Sequence, residues 1–153
     1  MMHNASPGSL SGLAASYGEA PYDIHIEVKS IGKDILVFVY GGTHSHIGAV
    51  ALAEPAGALH PVTGEPACTC GEGRGTDEAF RKPGGSPQVS VLKAYGHKDA
   101  LLAEMFARGL CEKYGVNVCA SAGVHVDGAS AEEISLMVGN ANTLLEMILS
   151  DWP

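Results

Sequence analysis

The sequence predicts an α+β domain: a mainly antiparallel sheet of about five strands in the order ββββαβα, with two helices on one face. Three observations predict it. Between Tyr22 and Ala94, apolar residues alternate with polar ones or run unbroken for a strand's length. Helical spacing is confined to the chain after Gly96. The breaks between the first apolar runs are short, as an antiparallel meander requires.

The elements follow in order. Residues 1–20 are small and polar, with no period, and read as a mobile tail ahead of a single domain over 21–153. Ile24, Ile26 and Val28 alternate with His25, Glu27 and Lys29, which makes a half-buried strand. After a turn at Gly32-Lys33-Asp34, the run Ile35–Tyr40 is apolar throughout and predicts a central strand covered on both faces. Gly41-Gly42 ends it, and His46–Ala53 is the third strand of the meander. Residues 54–87 differ. Of these 34 residues, 12 are Gly or Pro, so the segment predicts a long surface loop and not an element. Val89–Ala94 is the next strand. Leu102, Met105, Phe106 and Leu110 then recur at helical spacing, with Gly115 placed to end the helix. Asn117–Val126 is the last strand. Ser130-Ala131-Glu132-Glu133 is a capping box that opens a helix carrying Ile134, Met137, Ala141, Leu144, Leu145 and Ile148 on one stripe.

Length and composition bound the function. A chain of 153 residues with 46% hydrophobic and 17% charged residues is one globular domain with a substantial core. Nine Lys+Arg against 17 Asp+Glu give a net charge of −8, with no basic cluster to neutralise phosphates, so a nucleic-acid role and an anionic-membrane role are not expected. No apolar run reaches the length of a membrane span, and the first 20 residues lack the pattern of a signal peptide. The expected compartment is the cytoplasm, where Cys68, Cys70, Cys111 and Cys119 are thiols or ligands.

Three segments hold the residues able to carry chemistry. In Gly41-Gly42-Thr43-His44-Ser45-His46, the glycines can aim backbone N–H groups at an anion, and two histidines spaced by two share one face of an extended chain. Gly96-His97-Lys98-Asp99 opens a helix, where free N–H groups, the helix dipole and Lys98 favour a phosphate or carboxylate. Gly123-Val124-His125-Val126-Asp127-Gly128 again sets a His and an Asp at a strand end ahead of a helix. If these loops meet on one edge, His44, His46, His97 and His125 line a polar pocket suited to an anionic ligand. Each segment also has an ordinary reading as turn, cap or satisfied histidine. Cys68 and Cys70 in the long loop are candidate ligands for a soft metal, with His60 nearby in sequence. No nucleophile elbow, zinc-protease motif, Walker loop or dinucleotide fingerprint is present.

The segments GGTHSHIGAVALA, GHKDALLAEMFARGLCEKYGVNV and SAGVHVDGASAEEI, in this order and followed by an amphipathic helix, resemble a small accessory family. It comprises the prenylated-flavin chaperone-like D subunits of UbiD-type hydroxyarylic acid decarboxylases, of the gallate and vanillate decarboxylase type. The resemblance implies a domain shaped like proteasome assembly chaperones and oligomeric. It implies a non-catalytic accessory subunit that handles prenylated FMN, or FMN, for a large UbiD-type partner. Gly41, Gly42, His44, His46, Gly96, His97, Lys98, His125 and Asp127 are then the expected cofactor contacts. Two other readings stay open on the residues alone: a ligand-free structural oligomer, and a small metal-assisted enzyme using the histidines.

Overall fold

The computed structural model describes residues 12–56 and 85–151. Its elements are β1 (Ala14–Tyr17), β2 (Ile24–Ile31), β3 (Asp34–Gly42), β4 (Ala49–Glu54), β5 (Gln88–Lys93), α1 (Ala100–Tyr114), β6 (Val118–His125) and α2 (Ala131–Asp151). The expected α+β class holds, with six strands instead of five. The additional strand corrects part of the tail expected over 1–20. Ala14–Tyr17 pairs antiparallel with β2, Leu13 enters the core, and the Gly12 N–H donates to the Val28 carbonyl at 3.0 Å. Four residues are too few to show an alternation.

A second correction concerns the meander. The strand order is β1-β2-β3-β6-β4-β5, so β4 does not pair with β3. β6 enters between them, parallel to β3 and antiparallel to β4. Short connections had favoured neighbours in sequence. The apolar run of β3 instead demands a partner able to sit centrally, and β6 supplies Val118, Ala120 and Ala122, each fully buried.

One face of the sheet carries both helices. Val28, Val37, Ala120 and Ala51 lie across it in register and are buried. α1 crosses β4 and β6, while α2 packs on α1 and on β1 and β2. Beneath α1 the strands present Ala49, Ala51, Ala53, Ala120 and Ala122, and that stripe of small side chains leaves room for Phe106 and Leu110, both fully buried. α1 ends at Gly115 in the left-handed conformation (φ 63°), whose N–H donates to the Cys111 carbonyl at 2.9 Å. Among the described residues no helix lies on the opposite face. Phe38, Leu52 and Leu92 are exposed there, and Leu36 and Val50 are half-buried beside them.

α2 is held at its start by a short network. The Ser130 N–H donates to Glu133 Oε2 (2.7 Å) and the Glu133 N–H to Ser130 Oγ (3.2 Å), the capping box read from the sequence. The Tyr22 hydroxyl donates to the other oxygen of Glu133. Two turns on, buried Asn140 donates to the Tyr22 carbonyl at 2.9 Å. The Tyr22 hydroxyl, then the Ser130 N–H, hold the Glu133 carboxyl below the usual carboxylate range. A depressed folded-state pKa contributes stability above the unfolded-state value, and that stability is lost as pH falls through the folded one. In an NMR titration Glu133 should therefore protonate below the ordinary midpoint of about 4.3. Tyr22→Phe should move the midpoint up towards that value; a midpoint unchanged by Tyr22→Phe would show that the hydroxyl does not stabilise the carboxylate.

Candidate functional site

β3 and β6 run parallel and finish at Gly42 and His125, at one end of the sheet. β4 starts there, because Ala49 pairs with Ala122, and β5 ends there, because Ala49 also pairs with Lys93. The loops 43–48, 94–99 and 126–130 thus meet at one end, and both helices begin beside them. Carboxyl ends of adjacent strands are where ligands commonly settle in sheets of this kind.

The loops bring the histidines into two clusters. In the inner one, His46 Nε2 lies 2.8 Å from His97 Nδ1, with ring centroids 4.5 Å apart. Asp99 Oδ2 faces both nitrogens, 3.3 Å from His46 Nε2 and 3.6 Å from His97 Nδ1. Asp99 is buried, and its Oδ1 accepts the Val124 N–H at 2.9 Å. His46 Nδ1 lies 3.2 Å from the His44 carbonyl. A carbonyl can only accept, so His46 Nδ1 is the donor in that contact. In the outer cluster, His125 Nε2 is 2.9 Å from Asp127 Oδ1, and His44 Nδ1 is 3.5 Å from Asp127 Oδ2. His44, His125 and Asp127 are all exposed. His125 stands between the clusters, its ring centroid 6.0 Å from that of His46 and 6.4 Å from that of His44.

A cavity of about 520 Å³ opens beside them. Gly96, His97, Lys98 and His125 border it, and Leu101, Leu102, Val124, Val126, Ile134 and Met137 give it apolar walls. Lys98 is the cation among its lining residues and is exposed. α1 starts at this cavity with no side chain capping it, because Asp99, in the N-cap position, turns its carboxylate to Val124 instead.

Gly41 and Gly42 do not line the cavity. They belong to β3, and a Cβ at Gly41 would meet the Asp23 carbonyl oxygen at 2.2 Å, one at Gly42 the His125 carbonyl oxygen at 2.2 Å. Their small size lets neighbouring backbone close in. Cys68, Cys70 and His60 lie outside the described residues. Cys111 is buried in α1, where burial pushes its thiol up to about 11, so it stays protonated and inert.

Sequence reading placed Asp99 at the helix start but gave it no site role, and missed the close contacts that seat it. Gly48 packs directly on the Asp99 carboxylate, and a Cβ there would lie 1.9 Å from Oδ2. At Gly123 a Cβ would lie 1.8 Å from the His46 carbonyl oxygen. The available signal was His97-Lys98-Asp99, two ligand-type residues spaced by two before a helix.

A ligand-sized cavity with apolar walls and two histidines on its border thus lies beyond the ends of β3 and β6 in an α+β domain. The model of the prenylated flavin chaperone LpdD-like domain matches residues 18–75 and 76–152. The chain belongs to that family of prenylated flavin chaperones. A solved chaperone complex for yeast 20S proteasome assembly is similar to it at 12% identity, covering 90% of each chain with a TM-score of 0.47. No curated protein sequence matches the chain.

Gly48→Ala should force Asp99 out of its seat, detach it from Val124 and lower stability by roughly 1–3 kcal/mol, the usual penalty for overpacking. Chemical denaturation reads this directly. An unchanged midpoint would show that the carboxylate moves aside freely.

Proposed function

We propose that the chain binds prenylated FMN, or FMN, in the cavity beside α1 and passes it to the large subunit of a UbiD-type aromatic acid decarboxylase in the cytoplasm. The observation that carries this reading is the cavity itself. Its volume of about 520 Å³ lies within the range of small-molecule sites, roughly 300–1,000 Å³. Its apolar walls suit a fused ring bearing a prenyl group, and its mouth suits a phosphate. Lys98 supplies a full positive charge, and the uncapped start of α1 supplies N–H groups and a partial one. At Gly96 a Cβ would meet nothing within 4 Å, so the chain is open to solvent there.

When bound, the flavin would supply an electron sink for the partner's decarboxylation. The chain's own residues have other tasks. Lys98 and the helix start hold the phosphate. Leu102, Val124, Ile134 and Met137 keep water from the ring. His97 and His125 at the mouth offer hydrogen bonds to its polar edge. No residue of this chain is assigned a covalent step.

We infer also that the chain self-associates through the sheet face opposite α1 and α2, where Phe38, Leu52 and Leu92 are exposed among the described residues. Glu27 and Lys29 lie on the same face of β2, so a second copy turned about a two-fold axis offers opposite charges to this pair.

Calorimetric titration tests the flavin reading. Wild type should bind FMN or prenylated FMN, and Lys98→Glu should weaken binding at least tenfold, since a charge-assisted hydrogen bond contributes about 1.5–3 kcal/mol. Lys98 is exposed, so the fold should survive the change. Equal affinities would place the phosphate elsewhere, and no binding by wild type would favour the ligand-free oligomer. Sedimentation of the same samples should show a species heavier than the 15.8 kDa chain.

A further inference from the structure

We infer that His46, His97 and Asp99 form a binding site for a divalent transition-metal ion of the zinc class. The inference goes beyond the flavin reading and does not depend on it. Three ligand atoms of the types zinc takes, two imidazole nitrogens and a carboxylate oxygen, all lie within 4.8 Å of one another. Their separations are 2.8, 3.3 and 3.6 Å. Bonds of about 2.0–2.1 Å at tetrahedral angles separate neighbouring ligands by about 3.3–3.4 Å. A triangle with these three sides has its centre about 1.9 Å from each corner, so an ion bonded at about 2.0–2.1 Å sits slightly off their plane.

A simple hydrogen bond between the histidines would account for one of these three distances. It leaves unexplained why a buried carboxylate is aimed at both nitrogens. The supporting contacts are those that orient metal ligands. Asp99 Oδ1 accepts the Val124 N–H, which fixes the carboxylate and leaves Oδ2 forward. The His44 carbonyl accepts a hydrogen bond from His46 Nδ1, which turns Nε2 towards the other two groups. Ion binding needs both facing nitrogens deprotonated, so a proton held between them is released or moves to His97 Nε2. The site is built from two loops and a helix start, and Gly48 and Gly123 permit the backbone approaches that bring them together. Three protein ligands leave a fourth position for water or an anionic oxygen.

Metal-free full-length protein carrying Cys68→Ser and Cys70→Ser removes the loop thiols as competing ligands. Calorimetric titration of Zn²⁺ into it should show one ion per chain. Either His46→Ala or His97→Ala in that background should weaken binding by at least roughly a hundredfold. His25→Ala, on the helix-free side of β2, should leave it unchanged. Co²⁺ should give visible ligand-field bands without a thiolate charge-transfer band, and His97→Ala should abolish them. Circular dichroism checks each variant. If His46→Ala unfolds, His97→Ala still decides, because the His97 side chain is 37% exposed. Absence of stoichiometric zinc in the thiol-free background, or zinc binding retained in His97→Ala, overturns the assignment.

Discussion

The Asp99 carboxylate ties together everything at the working end of the molecule. A carboxylate that is only 7% exposed needs partners, and three separate parts of the chain converge on it. Val124 near the end of β6 gives it a backbone N–H, and His46 from the β3–β4 loop and His97 from the approach to α1 face its other oxygen. Gly48 closes the remaining side. Because Asp99 is occupied in this way, it does not cap α1. The same constraint therefore gathers the histidines and leaves the helix N–H groups open towards the cavity.

The position of the site relative to the rest follows from this. The two His/Asp clusters differ in depth: His46 and His97 converge on a buried acid, while His44 and His125 share an exposed one, Asp127. The cavity walls come from α1, α2 and the β6–α2 connection, all on the helix-bearing side of the sheet. The apolar patch around Phe38 and Leu52 is on the other side. A protein that assembles through that patch keeps its cavity mouth unobstructed.

Most of the fold is written in local pattern. Ile24, Ile26 and Val28 show their burial through alternation, Gly115 marks the end of α1, and Ser130 with Glu133 marks the start of α2. What escaped is what depends on distant partners. Nothing within Val118–His125 announces that it pairs with β3 on one side and β4 on the other, since a short strand of small residues fits several places. The histidines were legible as ligand-type residues in strand-end loops. Their division into two clusters was not, because Asp99 takes its role from Val124, 25 residues later. Gly41 and Gly42 were read as open backbone for a ligand, whereas each is pressed against another strand or turn; a glycine's sequence does not say what approaches it.

The central place of β6 bears on how the protein comes into being on the ribosome. Synthesis delivers β1–β3 as one group and β4–β5 as another, and these two groups share no strand pairing until β6 arrives to bridge them. Its two neighbours are far away in sequence, so closing the sheet is a non-local and slow event. His46, His97 and Asp99 belong to segments made before it, yet the Val124 N–H that orients Asp99 comes with it. A nascent chain therefore holds all three side chains of the inner cluster without the contact that seats its acid, and the cluster is completed only together with the fold.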